Sequence, residues 1–166
     1  EILQRFSKNP LKLKDKFLEK VKLSDLIKIN FDKFNKSKKL ILEIQPSNDE
    51  PEIIFKDEIM YALGNIIQNA IFYCNTTTKV KINYTKSHLK ISISDDGKGF
   101  SKDIIDKLGE PYVSKNKNGM GLGIFIAKNL IENMGGNINF YNSKDENAVV
   151  EINFDNSILS LSLIHI

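Results

Sequence analysis

Several residue types are scarce in this 166-residue sequence, and each scarcity removes a class of protein. Cys74 is the only cysteine, so an internal disulfide framework is excluded and a reducing compartment is expected. The only histidines, His88 and His165, do not cluster with Cys74 at the spacing of a zinc site. No apolar run approaches the roughly 20 residues that cross a bilayer, and the N-terminus has no signal-peptide pattern. We therefore expect a cytoplasmic region.

Charge of either sign is also not in large excess. Arg5 is the only arginine, and 24 basic against 21 acidic residues leave a formal net charge of +3. This balance gives no reason to expect nucleic acid or an anionic membrane as a partner. With 41% hydrophobic residues, the chain can fill one core, so we expect one globular domain with an appended segment.

The chain divides into three segments. Residues 1–20 begin with EILQRF, which is typical of a helix end, and continue as a Lys-rich linker around Pro10. Residues 21–155 carry the regular apolar patterns of a folded domain. Residues 156–166 alternate like a strand but have no obvious pairing partner, and we assign them no function. Because the first residue is Glu1 rather than methionine, we expect the chain to come from a longer protein.

Three stretches have the apolar spacing of amphipathic helices. The first begins near Ser24, its expected N-cap. The second is KDEIMYALGNIIQNAIFYC, with Asp57 as its expected cap. The third runs from Leu122 to Met134 and ends at the glycine pair 135–136. Six short runs with β-rich or alternating composition surround them: KLILEI (39–44), EIIF (52–55), KVKINYT, LKISIS, NINFY and AVVEINF.

This interspersed order predicts an α+β fold. We expect a two-layer α/β sandwich, in which helices cover one face of a mixed, mostly antiparallel sheet of about five strands. About three helices form the covering layer. The polar turn at 142–147 joins the last two strands as a hairpin.

The stretch DDGKGF follows the strand LKISIS and contains the first candidate functional residue. Period-2 alternation puts Asp95 on the same face as Leu89, Ile91 and Ile93, where an unpaired carboxylate is costly. Asp95 therefore needs a donor, and the simplest alternative to a ligand is that it caps the following turn. Gly97 and Gly99 indicate that the backbone approaches something closely at this point.

Two amides on the second helix form the next candidate. Asn65 and Asn69 are four residues apart, so both project from one face. Their carbonyl oxygens suit a hard cation without adding charge, although they are equally compatible with a solvent-facing position.

The glycine-rich run GMGLG directly before the third helix forms the last candidate. Exposed N–H groups at a helix start are suited to phosphate. The spacing fits neither a P-loop nor a dinucleotide-binding loop. Lys115 and Lys117 precede this run. Either they lie on a mobile lid and present an ammonium group to the phosphates, or they are ordinary solvated surface charges. Together the three candidates predict an ATP pocket, with adenine at the carboxylate, Mg²⁺ at the amides and phosphates at the glycines.

At these residues the sequence resembles the ATP-binding catalytic domain of sensor histidine kinases, in the superfamily that includes gyrase B, Hsp90 and MutL. NIIQNA, DDGKGF and GMGLG resemble its N, G1 and G2 boxes, in the family's order, and the resemblance spans about residues 20 to 154. It implies a Bergerat-type fold with ATP and Mg²⁺ as cofactors. It also implies that Asp95 accepts a hydrogen bond from adenine, that Asn69 ligates Mg²⁺, and that Asn65 supports the ion or the phosphates. The remaining implied ATP-binding residues are Gly97, Gly99, Phe100, Lys115, Gly119, Met120, Gly121, Leu122 and Gly123. The resemblance also implies that Asn65, Asn69 and Lys115 are catalytic.

The stretches LGNIIQNA, KLGEPYVSK and GMGLGIFIAKNLIE are similar to those of the redox-responsive RegB, PrrB and ActS sensor kinases. The segment GEPY (109–112) takes the place of the family's aromatic F box. Phe72 stands where many histidine kinases carry a Lys or Arg near the phosphates, which leaves Lys115 as the lid cation.

The resemblance also implies partners. Residues 1–20 would be the end of an upstream dimerisation and phosphoacceptor helix plus a linker. Neither His88 nor His165 lies in a helical acceptor motif, so the acceptor histidine is expected upstream, in a homodimeric inner-membrane sensor that signals to a response regulator. Two alternatives remain open. One is an ATP-gated clamp of the gyrase, Hsp90 or MutL kind with Glu58 as a distant base, and the other is an interaction module that no longer binds nucleotide.

Overall fold

The computed structural model describes residues 19–35, 37–46, 50, 52–111 and 122–155. The segments 1–18 and 156–166 lie outside this part, so the predictions about an upstream helix and a tail stay predictions. The described elements, in chain order, are β1 Lys20–Lys22, α1 Leu23–Phe34, β2 Lys39–Gln45, β3 Glu52–Ile54, α2 Asp57–Tyr73, β4 Thr77–Tyr84, β5 His88–Asp95, α3 Lys102–Ile105, α4 Leu122–Asn133, β6 Asn137–Asn142 and β7 Ala148–Asp155.

The main sheet has five strands in the order β2-β4-β5-β7-β6. Only the β2–β4 pair is parallel, and the other three pairs are antiparallel. Parallel strands need a crossover connection between them, and here the connection from β2 to β4 contains α2. The predicted mixed, mostly antiparallel sheet of five strands is therefore confirmed.

The core lies between this sheet and the helices α1, α2 and α4. Alternating residues of β4 and β5 are buried, and α2 packs against both other helices. The most deeply buried side chains are aliphatic, because both layers present stripes of Ile and Leu to each other. They include Leu26, Ile27, Leu63, Ile66, Ile67, Ile82, Ile91, Ile93, Ile131 and Ile152. The predicted two-layer sandwich is confirmed.

The start of α1 differs from the prediction. The helix begins at Leu23, and Lys22 occupies the N-cap position without a side-chain hydrogen bond. Ser24 lies inside the first turn, where its N–H and hydroxyl donate to the two carboxylate oxygens of Glu50 at 2.5 and 2.6 Å. The carboxylate of Glu50, 26 residues further along the chain, thus satisfies the helix start, which local sequence does not reveal.

The start of α2 also differs. Asp57 is its first helical residue rather than its cap, and the N-cap is Lys56, again without a side-chain hydrogen bond. Asp57 and Glu58 both lie in the first turn, where negative charge is favourable because the helix dipole is positive there.

Two features were not predicted. β1 and β3 form a separate two-stranded antiparallel sheet, and the four-residue helix α3 interrupts the stretch expected to be irregular. Each is too short to produce an apolar period of its own. The third predicted helix and the final hairpin are confirmed by α4, β6 and β7, with Gly135 at φ +84° after α4.

Candidate functional site

Asp95 ends β5 on the buried face of the sheet, as the alternation predicts. Only 8% of its surface is exposed. The Gly97 N–H donates to Asp95 Oδ1 at 2.8 Å. Within the part of the chain that the structure describes, no other hydrogen bond reaches this carboxylate, so Oδ2 has no partner there.

Burial changes the acidity of this group. Desolvation raises the pKa of Asp95 above its usual 3.8, the Gly97 N–H counteracts this, and the neighbouring charge of Asp96 raises the pKa further. Ionised Asp95 is therefore disfavoured in the fold unless a further donor reaches it. A ligand with an N–H group would supply that donor.

Asp96 has a different role that the sequence did not reveal. Its carboxylate accepts hydrogen bonds from the backbone N–H groups of Asn75, Thr76 and Thr77 and from the Thr76 hydroxyl, over 2.7–3.2 Å. Partial burial raises the pKa of Asp96, but these donors outweigh it and lower the pKa to about 2. Asp96 thus fixes the connection between α2 and β4, next to Asp95.

The glycines of DDGKGF approach protein backbone. A Cβ at Gly97 would collide with the Tyr73 carbonyl oxygen at the end of α2 and would lie 2.8 Å from Asp95 Oδ1. Gly99 has φ +77°, and a Cβ there would collide with the Glu146 carbonyl oxygen in the β6–β7 turn. The expected close approach exists, and it packs this loop onto α2 and the last hairpin.

Phe100 continues this packing. Its N–H donates to Asn142 Oδ1, and Asn142 Nδ2 donates back to its carbonyl, both at 2.8 Å. The Phe100 ring packs edge-to-face on Phe140 at 6.2 Å between centroids. The ring thus has a packing role, and its predicted contact with ATP stays a prediction.

The two amides lie on α2 as predicted. Asn65 is half-buried, and its Nδ2 is buried without a hydrogen-bond partner in the described residues. Asn69 lies one turn later, also half-buried, and the described residues offer its side chain no hydrogen bond. Both amides are thus available to a ligand, which favours the functional alternative over a solvated one.

Asn65 also lies close to the third motif, GMGLG. A Cβ at Gly123, near the start of α4, would lie 3.5 Å from Asn65 Oδ1. Leu122 opens α4 as expected. Four predicted site residues of the glycine-rich segment lie outside the described residues: Lys115, Gly119, Met120 and Gly121.

The C-terminal half of α2 therefore connects the motifs. Asn65 lies next to the start of α4, while Tyr73, about 12 Å further along the helix axis, contacts the loop after Asp95. This arrangement separates the Asp95 end of the candidate site from the end at Asn65 and Gly123.

A metal ion at this site would depend on neutral oxygen ligands. The described residues contain no group of three or more His, Cys, Asp or Glu side chains able to hold a metal. The side-chain oxygens of Asn65 and Asn69 are neutral ligands that fit Mg²⁺, which keeps several waters and takes substrate phosphates as ligands. The unpartnered Asn65 Nδ2 can only donate, so it suits a phosphate oxygen and not the ion.

Comparison with known proteins decides the family. Residues 55–158 match the model of the histidine kinase-, DNA gyrase B- and HSP90-like ATPases. The chain belongs to this family. The matched range contains all three motifs and every element from the end of β3 to β7, so this ATPase fold carries the site described above.

Curated relatives show which kind of ATPase within the family this chain resembles. Over 125 residues, 66% of this chain and 27% of the relative, the chain is 32% identical to the sensor histidine kinase RegB of Cereibacter sphaeroides. Over 138 residues, 69% of this chain and 23% of the relative, it is 34% identical to a putative NtrY-like sensor histidine kinase of Rickettsia bellii. The chain thus contains an ATP-binding domain of the sensor histidine kinase type, and it spans about a quarter of the length of these relatives.

Solved structures agree on the fold of this ATPase. The catalytic domain of the histidine kinase ThkA matches with a TM-score of 0.71 and 21% identity, over 83% of this chain and 95% of that domain. The mycobacterial sensor histidine kinase MprB matches with a TM-score of 0.68 and 16% identity, over 83% and 97%. Within the described residues, none of the helices combines the length and apolar character that a transmembrane span requires.

Proposed function

We propose that this ATPase domain positions ATP·Mg²⁺ so that its γ-phosphoryl group is transferred to a histidine on an upstream phosphoacceptor segment. The main support for the proposal is that residues of α2 lie next to both other motifs. Asn65 lies next to Gly123, and Tyr73 contacts the Asp95–Gly97 loop. Asn65 Nδ2 near one end and Asp95 Oδ2 at the other have no hydrogen-bond partner in the described residues.

At the base end, Asp95 would read adenine. Its Oδ1 is held by the Gly97 N–H, so Oδ2 is the acceptor available to the exocyclic amino group. Since the carboxylate is 8% exposed, water competes poorly for this hydrogen bond. A purine without that amino group would leave the buried acceptor unpaired, which costs binding energy.

At the phosphate end, Asn69 would hold Mg²⁺ and Asn65 would support the ion or the phosphates. Bound Mg²⁺ would neutralise charge on the phosphates and orient them. The proposed lid residues Lys115, Gly119 and Gly121 would add an ammonium and backbone N–H donors. Phosphoryl transfer needs mainly such positioning and charge stabilisation, so the domain does not need a covalent intermediate.

The acceptor is not expected within the described domain. His88 begins β5, at the opposite end of the strand from Asp95 and about 23 Å from it. Its Nε2 pairs with Asn153 Oδ1 at 3.0 Å. Neither feature suits an in-line attack on a phosphate bound near Asn69, which supports an acceptor histidine on the upstream dimerisation segment.

The relatives named sensor histidine kinases support a proposal for the wider setting. We infer a homodimeric sensor kinase of the RegB kind that passes the phosphoryl group to a response regulator, without nucleic acid as a partner. The domain would be the cytoplasmic part of an inner-membrane sensor.

Calorimetric titration of the isolated chain with ATP, with and without Mg²⁺, tests this proposal, together with incorporation of labelled γ-phosphate. We expect Mg²⁺-dependent binding and no label on the chain itself. No ATP binding by correctly folded protein would refute the ATP site, and labelled chain would refute the external acceptor.

The alternative of an ATP-gated clamp receives no support from Glu58. This exposed residue lies in the first turn of α2, about 10 Å along the axis before Asn65. Steady ATP turnover by the purified domain, lost in Glu58→Gln, would reverse the preference.

A further inference from the structure

Thr78 is a buried polar residue that the sequence patterns did not single out. It lies in β4 directly opposite Asp95 in the antiparallel β4–β5 ladder. Directly opposed residues point their side chains to the same face, with Cβ atoms about 4.5–5.5 Å apart. Thr78 is completely buried and therefore adjoins the inner side of the Asp95 carboxyl.

The Thr78 hydroxyl has no hydrogen-bond partner in the described part of the chain. Leaving a buried hydroxyl unpaired costs about 1–3 kcal/mol, and such groups in folded proteins call for an explanation. A valine would fill the same volume without this cost. The hydroxyl therefore suggests a partner that is present only in another state of the protein.

Asp95 is the acceptor that lies directly opposite Thr78 in the β4–β5 ladder. Its Oδ1 accepts from Gly97, while its Oδ2 accepts from no described residue. A carboxylate oxygen can accept two hydrogen bonds, so Oδ2 has capacity for a ligand and for Thr78 at once. Because the Gly97 hydrogen bond to Oδ1 holds the carboxyl, rotation of the Thr78 side chain to another staggered position would bring its hydroxyl toward Oδ2.

We infer that Thr78 is a positioning residue for the base-reading end: when a purine covers the site, its hydroxyl donates to Asp95 Oδ2 and fixes the carboxylate toward the base. This inference rests on the proposed ATP function. Its physical reason is desolvation. A bound base removes the remaining water from Asp95, and a second internal donor then keeps the carboxylate ionised.

The neighbours of Asp95 make this assignment specific. Asp96 is the ionisable group whose charge acts on Asp95, and it acts against ionisation. Thr78 lies opposite Asp95 on β4, the β7 residues paired with the end of β5 are the uncharged Val149 and Val150, and the backbone of Tyr73 on α2 lies against Gly97. Thr78 is thus the neutral side-chain donor that faces the carboxylate across the described β4–β5 ladder.

Thr78→Val and Thr78→Ser test the inference, with titrations of ATP between pH 5 and 8. Thr78→Val removes the hydroxyl at constant volume and should weaken ATP binding about ten- to a hundredfold at neutral pH. Binding should also be lost at higher pH than in the wild type, because Asp95 protonates more easily. Thr78→Ser keeps the hydroxyl and should restore most of the affinity and the wild-type pH profile. Inorganic tripolyphosphate, which lacks a base, should bind all three proteins equally.

Three outcomes would overturn the inference. Wild-type ATP affinity and pH profile in folded Thr78→Val would show that the hydroxyl has no such role. Equal losses in Thr78→Val and Thr78→Ser would assign the effect to packing, as would equal losses for tripolyphosphate. If the wild-type protein itself binds no ATP, the proposed function fails first, which distinguishes that failure from a failure of Thr78 alone.

Discussion

The backbone N–H of Gly97 donates to Asp95 Oδ1 at 2.8 Å and occupies one of the two carboxylate oxygens. The sequence left two roles open for Asp95, a turn cap and a ligand acceptor. The structure makes them compatible, since one oxygen caps the turn and the other has no partner in the described residues. The turn hydrogen bond also fixes the orientation of the carboxyl, which prepares the second oxygen for a ligand.

Asp96→Asn should destabilise the fold in a pH-dependent way. The native pKa of Asp96 is about 2, below its usual 3.8. The ionised group therefore stabilises the fold above about pH 4, and this contribution is lost as the pH falls through about 2. Since the group is largely solvated, we expect a loss of about 1 kcal/mol at pH 7. Urea unfolding at pH 7 and pH 2 measures it, and an equal difference at both pH values would contradict the account.

Gly97→Ala should destabilise the domain much more than Gly123→Ala. The added Cβ at residue 97 collides with the Tyr73 carbonyl oxygen, which is backbone and cannot move away freely. We expect a loss of about 1–3 kcal/mol. The nearest atom to a Cβ at residue 123 is Asn65 Oδ1 at 3.5 Å, an ordinary contact, so this matched control should keep wild-type stability. Equal melting temperatures of the two variants would argue against the packing of Gly97 on α2.

Phe72→Lys should tighten ATP binding. Phe72 is 62% exposed, three residues after Asn69 on α2, and its ring contacts Tyr73 edge-to-face at 4.9 Å. A lysine there would bring an ammonium toward the proposed phosphate end, for a gain of about three- to tenfold at low salt. Phe72→Gln is the uncharged control. The gain should disappear for adenosine, and an equal gain with adenosine would place the effect at the base end instead.

Long periodic elements were predictable from the sequence because their signals are local. The stripe of α2, the alternation of β5 and the hairpin β6–β7 each repeat over enough residues to fix their type, and Asp95 was expected on the buried face for the same reason. The three motifs could be combined into one site because each lies on or next to such an element: the amides within α2, DDGKGF after β5 and GMGLG at the start of α4.

The remaining features depend on contacts between distant residues. Glu50 reaches the first turn of α1 from a connection 26 residues away, so Ser24 alone suggested the wrong cap. Asp96 accepts hydrogen bonds from the backbone of residues 75–77, about 20 residues earlier in the chain. The position of Thr78 opposite Asp95 is set by the β4–β5 register. Register and long-range capping leave no periodic mark in a sequence.

Asp95→Asn tests the central claim most directly, by calorimetric ATP titration and thermal unfolding of the same protein. Burial raises the pKa of Asp95 above 3.8, so its ionised form weakens the fold as the pH rises past that value. Asparagine removes this penalty and still accepts the Gly97 N–H. We predict a melting temperature at least equal to that of the wild type, with ATP affinity about a hundredfold lower because the amide offers the base a mismatched donor. Unchanged ATP affinity in the folded variant would contradict the account and leave Asp95 as a turn cap alone.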